Sequence, residues 1–300
     1  MLITPADSPS SSTLAASAPS SSNAAIFDAL RALTNLASFS EQARQIITYL
    51  AFAHIESYLW SRVSALAQAA MECILNLTQS PAAAAQMFFC VDADTAPAED
   101  ATSVLSPQSA SDQADTFSGA HADKAAARTR LTLLFALTNS STRGTALAAT
   151  AALSQILAFE AGAASFLALA SASPPSSAAG AKETASTNAL DARTPTRRLL
   201  TLVADSAGIA ASSAAHPDSG SSPEKGPDVE AQPDPDMLAR AATALCAFVD
   251  AGGAAVRASV RNAGGLRLLE SLVNMTVVEQ MGLSDMVSDA IAALGPSKRS

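Results

Sequence analysis

Aromatic residues are scarce in this chain. Ten Phe, two Tyr and one Trp make up 4% of its 300 residues, so few rings are available to fill a core. Cysteine is scarcer still, with Cys73, Cys90 and Cys246 far apart. An odd, widely spaced set excludes a disulfide framework and points to buried free thiols in a reducing compartment. The three histidines, His54, His121 and His216, are isolated. Metal ligation needs converging His/Cys sets at ligand spacing, and none is present. No run of 18 apolar residues exists, so no transmembrane helix is expected. The first 22 residues carry no basic segment and no Arg, which fits neither a secretory signal nor a transit peptide. A cytoplasmic location is the expectation.

Basic charge is short as well. Eighteen Lys and Arg stand against 27 Asp and Glu, a net charge of −9. A phosphate-binding surface needs a basic excess, so nucleic acid is not an expected partner. The acidity is unevenly placed. Residues 92–123 hold seven acids and no Lys or Arg, and residues 216–236 hold six acids and one Lys. Chemical motifs are missing too: there is no G-x-S-x-G elbow, no P-loop, no G-x-G-x-x-G after a strand, and no strand pattern at all. Catalysis and a bound cofactor are not expected. Asp234 and Asp236 stand at a helix start, where capping accounts for them better than acid–base work.

What the chain has is helix. Apolar residues make up 49% of it, much of that alanine, the best helix former and small enough to let helices approach closely. The stretch Arg62–Ser80, RVSALAQAAMECILNLTQS, is organised as one amphipathic helix. Val63, Leu66, Ala70, Ile74 and Leu77 recur at three- and four-residue steps, and Pro81 ends the pattern. Its formula, a small pair followed six residues later by a marker, returns along the chain. Ala29 leads to Asn35, Ala70 to Asn76, Ala149 to Gln155 and Ala242 to Phe248, at spacings of 41, 79 and 93 residues. Removing the low-complexity stretches 91–123, 170–195 and 208–235 brings the longer spacings to about 46 and 39 residues. A helical unit repeating every ~40 residues is the signature of an armadillo or HEAT solenoid. The expected fold is all-α, a right-handed α-solenoid with long disordered inserts.

Taken in order, residues 1–22 are expected to be disordered, and 23–90 to hold armadillo-like repeats. In those repeats Asn23 caps a helix over 24–38, a break falls near Ala53-His54, and short helix 82–90 follows helix 62–79. An acidic insert covers 91–123 and a further repeat 124–169, its marked helix at 145–160. A linker over 170–194 leads to a solenoid helix at 195–207, opened by Thr194-Pro195. A second acidic linker covers 208–235. The last repeats span 236–295, with Asp236 as cap, a turn at Gly264-Gly265 and a final helix at 284–294.

The segment Phe27-Asp28-Ala29-Leu30-Arg31-Ala32-Leu33-Thr34-Asn35-Leu36-Ala37-Ser38 resembles the F-x-A-L-x-A-L-T-N-L-A segment of the UCS-domain myosin chaperones. The helix with Ala69-Ala70-Met71-Glu72 and Ile74-Leu75-Asn76-Leu77 falls where that family has its A-A-T-E-x-x-x-N-L helix. Met71 stands in place of the usual threonine. Arg130-Leu131, Leu133-Leu134-Phe135-Ala136-Leu137, Ala148-Ala149 and Ala152-Leu153 follow the next unit. Asn262-Ala263-Gly264-Gly265-Leu266 is similar to the armadillo helix-to-helix turn. The resemblance covers 24–90 and 124–169 and, more loosely, 237–294. It corresponds to the C-terminal armadillo part of a fungal-type member without tetratricopeptide repeats. It implies a cytosolic co-chaperone that binds the myosin motor domain, supports its folding and its work with actin, and cooperates with Hsp90. A general armadillo adaptor, binding peptides or assembling complexes, is the alternative.

An armadillo stack sets its third helices side by side along a groove. Asn35, Asn76 and Gln155 share one phase of those helices. Amides both donate and accept, so they can clamp an extended peptide backbone. They can equally bridge neighbouring helices within the solenoid. Phe248 breaks the series and is expected to close the core. Arg197-Arg198 is read as a solvated face, and Trp60 as packing within or between repeats.

Overall fold

The computed structural model describes residues 21–89, 116–169, 194–209 and 233–295, with the side chains of Ser21 and 116–124 left aside. Thirteen helices lie within these residues. They are α1 (Ser21–Phe39), α2 (Glu41–Tyr58), α3 (Ser64–Leu77), α4 (Pro81–Phe88), α5 (Thr116–Leu137), α6 (Arg143–Leu157) and α7 (Glu160–Ala168). After them come α8 (Pro195–Ser206), α9 (Pro235–Ala251), α10 (Gly253–Asn262), α11 (Gly265–Val273), α12 (Thr276–Gln280) and α13 (Ser284–Leu294). The described residues contain no strand.

Local chemistry sets most boundaries. Ser40 caps α2 by accepting from the Ala43 N–H, and Ser80 caps α4 by accepting from the Ala83 N–H, with Pro81 in the first turn. Thr194 caps α8 ahead of Pro195. At α9 the cap is Asp234, which accepts from the Met237 N–H, while Asp236 sits inside the first turn. Proline at the first helical position explains the register: Pro235 has no N–H to lose, so the preceding residue becomes the cap. Asn23 is likewise no cap, because α1 already runs from Ser21. No break occurs at Ala53-His54. Phe52 and Ile55 are both buried, and no Gly or Pro interrupts α2. The segments 1–20, 90–115, 170–193 and 210–232 lie outside the described residues. At the edge of the first acidic insert, α5 begins at Thr116, ahead of the expected 124.

The helices stack in layers. The marked helices form one continuous row in which α1 packs on α3, α3 on α6, α6 on α9 and α9 on α13. A second row runs α2, α4, α7, α10, each packed on the next. Helices α5, α8 and α11 lie outside it. The small pairs are where row helices approach closely: Ala69-Ala70, Ala148-Ala149 and Ala241-Ala242 are each buried. Burying such small side chains leaves room for the larger aliphatics. Leu77, Leu153, Ile156, Leu157, Leu245 and Val249 are all fully buried in the one core cluster.

The few rings are spent in a line. Phe135, Phe166 and Phe248 meet edge to face with centroids 5.4 Å apart at both steps. Phe248, at the marker phase, is fully buried, so the amide series ends here because this unit uses that position for packing. Two arginines lock consecutive units through ring faces. Arg130 of α5 lies 5.0 Å from the Phe52 ring and pairs with Glu56, both on α2. Arg198 of α8 lies 4.7 Å from the Phe135 ring of α5. A guanidinium over a ring contributes roughly 0.5–2 kcal/mol. Arg197 and Arg198 are both exposed, as a solvated face requires, and Arg198 adds an inter-repeat contact on top of that. Trp60, expected to pack within or between repeats, has 69% of its surface exposed.

The turn at Gly264-Gly265 follows the expected chemistry. Gly264 has φ +88°, a left-handed conformation that side chains disfavour. A Cβ on Gly265 would come within 2.4 Å of Val260 Cγ1, so α10 and α11 can close only over a residue without one.

Candidate functional site: the face of the third-helix row

The row α1–α3–α6–α9–α13 presents one face built from residues three and four apart on each helix. Asn35 is exposed on α1, Asn76 half-buried on α3 and Gln155 half-buried on α6. The structure gives the second and third of these internal partners. Asn76 Nδ2 donates to the Thr34 carbonyl of α1 at 3.0 Å, and its Oδ1 accepts from Gln79 Nε2 at 3.3 Å. Gln79 Oε1 in turn accepts from Arg44, whose Nε donates to the Ala37 carbonyl at the C-terminal end of α1. Asn76 thus belongs to a network that ties the ends of α1, α2 and α3. The Gln155 amide lies 2.6 Å from the Thr78 hydroxyl, which also donates to the Leu75 carbonyl at 2.8 Å. One hydroxyl carries one proton, so an amide presenting Nε2 here satisfies both contacts. Each of these amides reaches back to the preceding row helix. Asn35, on the first row helix, is exposed.

Between α9 and α13 the face opens into a groove of about 400 Å³. Its floor is Ala247, Ala290 and Ala293 with Met286 and the edge of Cys246; Asp250 and Asp289 stand on its two walls. Sequence reasoning passed over it. The signal was Thr243, Ala247 and Asp250 on α9, and Met286, Asp289 and Ala293 on α13, each set at three- and four-residue steps. Without knowing that these two helices are neighbours, the two acids cannot be put together. Near the N-terminal ends of α6 and α9, Arg143 reaches Asp234 at 3.0 Å and Asp236 at 2.7 Å. The hydrogen bond from Arg143 holds the Asp234 carboxyl below its ordinary range, and the two aspartates raise the guanidinium further. A second, shallower groove of about 570 Å³ lies beside Trp60, with Arg128, Thr132, Leu133 and Leu169 along it.

Cys73 and Cys246 are buried free thiols, and Cys90 lies outside the described residues. Burial pushes Cys73 up to about 11 and Cys246 up to about 12. His54 is exposed on α2; the side chains of His121 and His216 lie outside the described residues. Among the described residues no group of three His, Cys, Asp or Glu converges as metal ligands. No single described helix is long and apolar enough to cross a membrane; the apolar pair α6 and α7 bends by 111° between them.

No protein-family model matches the chain, and no curated protein does. Its likeness is to solved structures. It superposes on a computationally designed armadillo repeat protein for modular peptide recognition with a TM-score of 0.51 at 14% identity, over 92% of this chain and 78% of that one. An engineered protein matches with a TM-score of 0.50 at 15% identity, over 89% of this chain and 72% of its own. Another matches with a TM-score of 0.53 at 14% identity, over 93% of this chain and 46% of its own, so this chain spans about half of it. At such identities the likeness speaks to the fold alone. That fold is an all-α solenoid of the armadillo-repeat kind.

Proposed function

We propose that the chain is a non-catalytic, protein-binding scaffold that takes an extended segment of its partner along the third-helix row. The observation that carries this reading is the open groove between α9 and α13, with small apolar residues on its floor and a carboxylate on each wall. Alanine floors let a backbone approach, and the flanking acids favour a segment with basic or donor side chains. For the partner we propose the myosin motor domain, in the cytosol and in cooperation with Hsp90. The support is the resemblance of Phe27–Ser38 and of the Asn76 helix to the UCS chaperones. The scaffold reading stands without it, as a general armadillo adaptor.

The test is heat aggregation of a purified myosin motor domain with the full chain titrated in, beside an unrelated client. Protection of the motor domain alone, near stoichiometric amounts, supports the client assignment. Its loss in Asp250→Asn/Asp289→Asn, with helicity unchanged, supports the groove. Equal protection of both clients, or none, overturns the myosin reading. Protection that the double variant leaves intact overturns the groove.

A further inference from the structure

Helix α2 is apolar on two sides. One side, with Ile47, Phe52 and Ile55, is buried against the core. On the other, Ile46, Tyr49 and Leu50 are 50%, 78% and 68% exposed, with Phe39, 84% exposed, one residue before the Ser40 cap. Ile46, Tyr49, Leu50 and Ala53 fall at steps of three and four, so they form one stripe. The stripe has no charged residue; its remaining positions are Gln42 and Ser57.

The surface of α11 and α12 is different. There Arg267, Glu270, Ser271, Glu279 and Gln280 face solvent, while Val278 and Leu272 are buried beneath them. Among the described residues no large apolar side chain beyond Trp60 is exposed. The described residues thus present a polar surface at α11 and α12 and an apolar one at α2.

We infer that the α2 stripe is the interface of a two-fold dimer, in which a second copy of the chain packs α2 against α2. Three features select that occupant. An uncharged stripe is self-complementary, since no charge on it meets its own image. A head-to-tail contact with the polar surface of α11 and α12 would leave the stripe unmatched and the chain of contacts open, whereas the two-fold arrangement buries it on itself and closes. The size is sufficient. Aromatic side chains bury ~150–250 Å² each, so Phe39 and Tyr49 from two copies remove roughly 500–800 Å² between them. With Ile46 and Leu50 the total reaches on the order of 1,000 Å², the extent a specific interface requires.

The experiment is sedimentation velocity on the full chain at micromolar concentration, with helicity followed by circular dichroism. The wild type is expected to be dimeric. Ile46→Glu/Leu50→Glu is expected to weaken the dimer by roughly 100-fold or more, because it buries like charges at the centre of the interface. Unchanged helicity keeps this result apart from unfolding. A cross-link supplies the geometric check: Ala53→Cys with Cys90→Ser should be joined into a dimer by a flexible bifunctional maleimide, since the two remaining cysteines are buried. A monomeric wild type, a dimer that survives the double glutamate variant, or a chain that dimerises only after residues 1–20 are removed would each overturn the inference. The last outcome would assign the stripe to that segment instead.

Discussion

The side-chain amide of Asn76 donates to the main-chain oxygen of Thr34 across 3.0 Å, between residues 42 positions apart. That bond joins two consecutive row helices and works whether or not a ligand is present. Asn76→Ala is therefore expected to cost about 1 kcal/mol of stability, the net worth of one such bond. Asn35→Ala, at an exposed position, is expected to stay within about 0.5 kcal/mol. Urea unfolding of both variants checks this. Equal losses would mean that the two amides do the same work.

Phe248 occupies the marker phase and is fully buried against Phe166. Phe248→Ala is expected to lose about 3–5 kcal/mol through the cavity it leaves. Phe248→Asn, which restores the series of amides, is expected to be no better, because its polar groups would be desolvated without partners. Chemical denaturation of the pair is the measurement. An asparagine variant as stable as wild type would show that the site opens to the groove.

Asp234 and Asp236 both meet Arg143, yet only Asp234 caps α9. Asp234→Ala should cost about 1 kcal/mol through the lost cap. Asp236→Ala should stay within about 0.5 kcal/mol, an exposed ion pair being weak. The folded-state lowering of the Asp234 pKa adds a sign. Its contribution is present above the ordinary aspartate range and fades as pH falls through the lower folded value. The difference between wild type and Asp234→Ala should therefore shrink in acid, which thermal melts at neutral and low pH will read.

Cys73 and Cys246 titrate at about 11 and about 12 because burial penalises the thiolate. In the unfolded chain both titrate near the ordinary ~8.5. Above that value the unfolded state gives up protons that the folded state keeps, so stability should fall with rising pH until the folded values are reached. In a Cys90→Ser background, thiol reagent at mildly alkaline pH should leave both cysteines unmodified until denaturant is added. Rapid labelling of either thiol in the folded protein would contradict the burial.

Much of the architecture was written in the chain, and for a physical reason. Alanine-rich amphipathic segments interrupted by Pro and Gly can do little except form helices of set length, and a ~40-residue recurrence of small pairs fixes how those helices must stack. Local capping at Thr194 needs only neighbours in sequence, and there the sequence suffices. What tertiary structure alone decided is which side of each helix meets what. The apolar residues of α2 do not say that Ile47 and Ile55 turn inward while Ile46 and Leu50 turn out. Arg198 stays on the surface, and only the packing of α5 shows that Phe135 lies beneath it. Asp250 and Asp289 become two walls of one groove only because α9 packs on α13. Periodicity along a chain determines that a helix has a face; the neighbour that face receives is set by packing between segments the sequence keeps far apart.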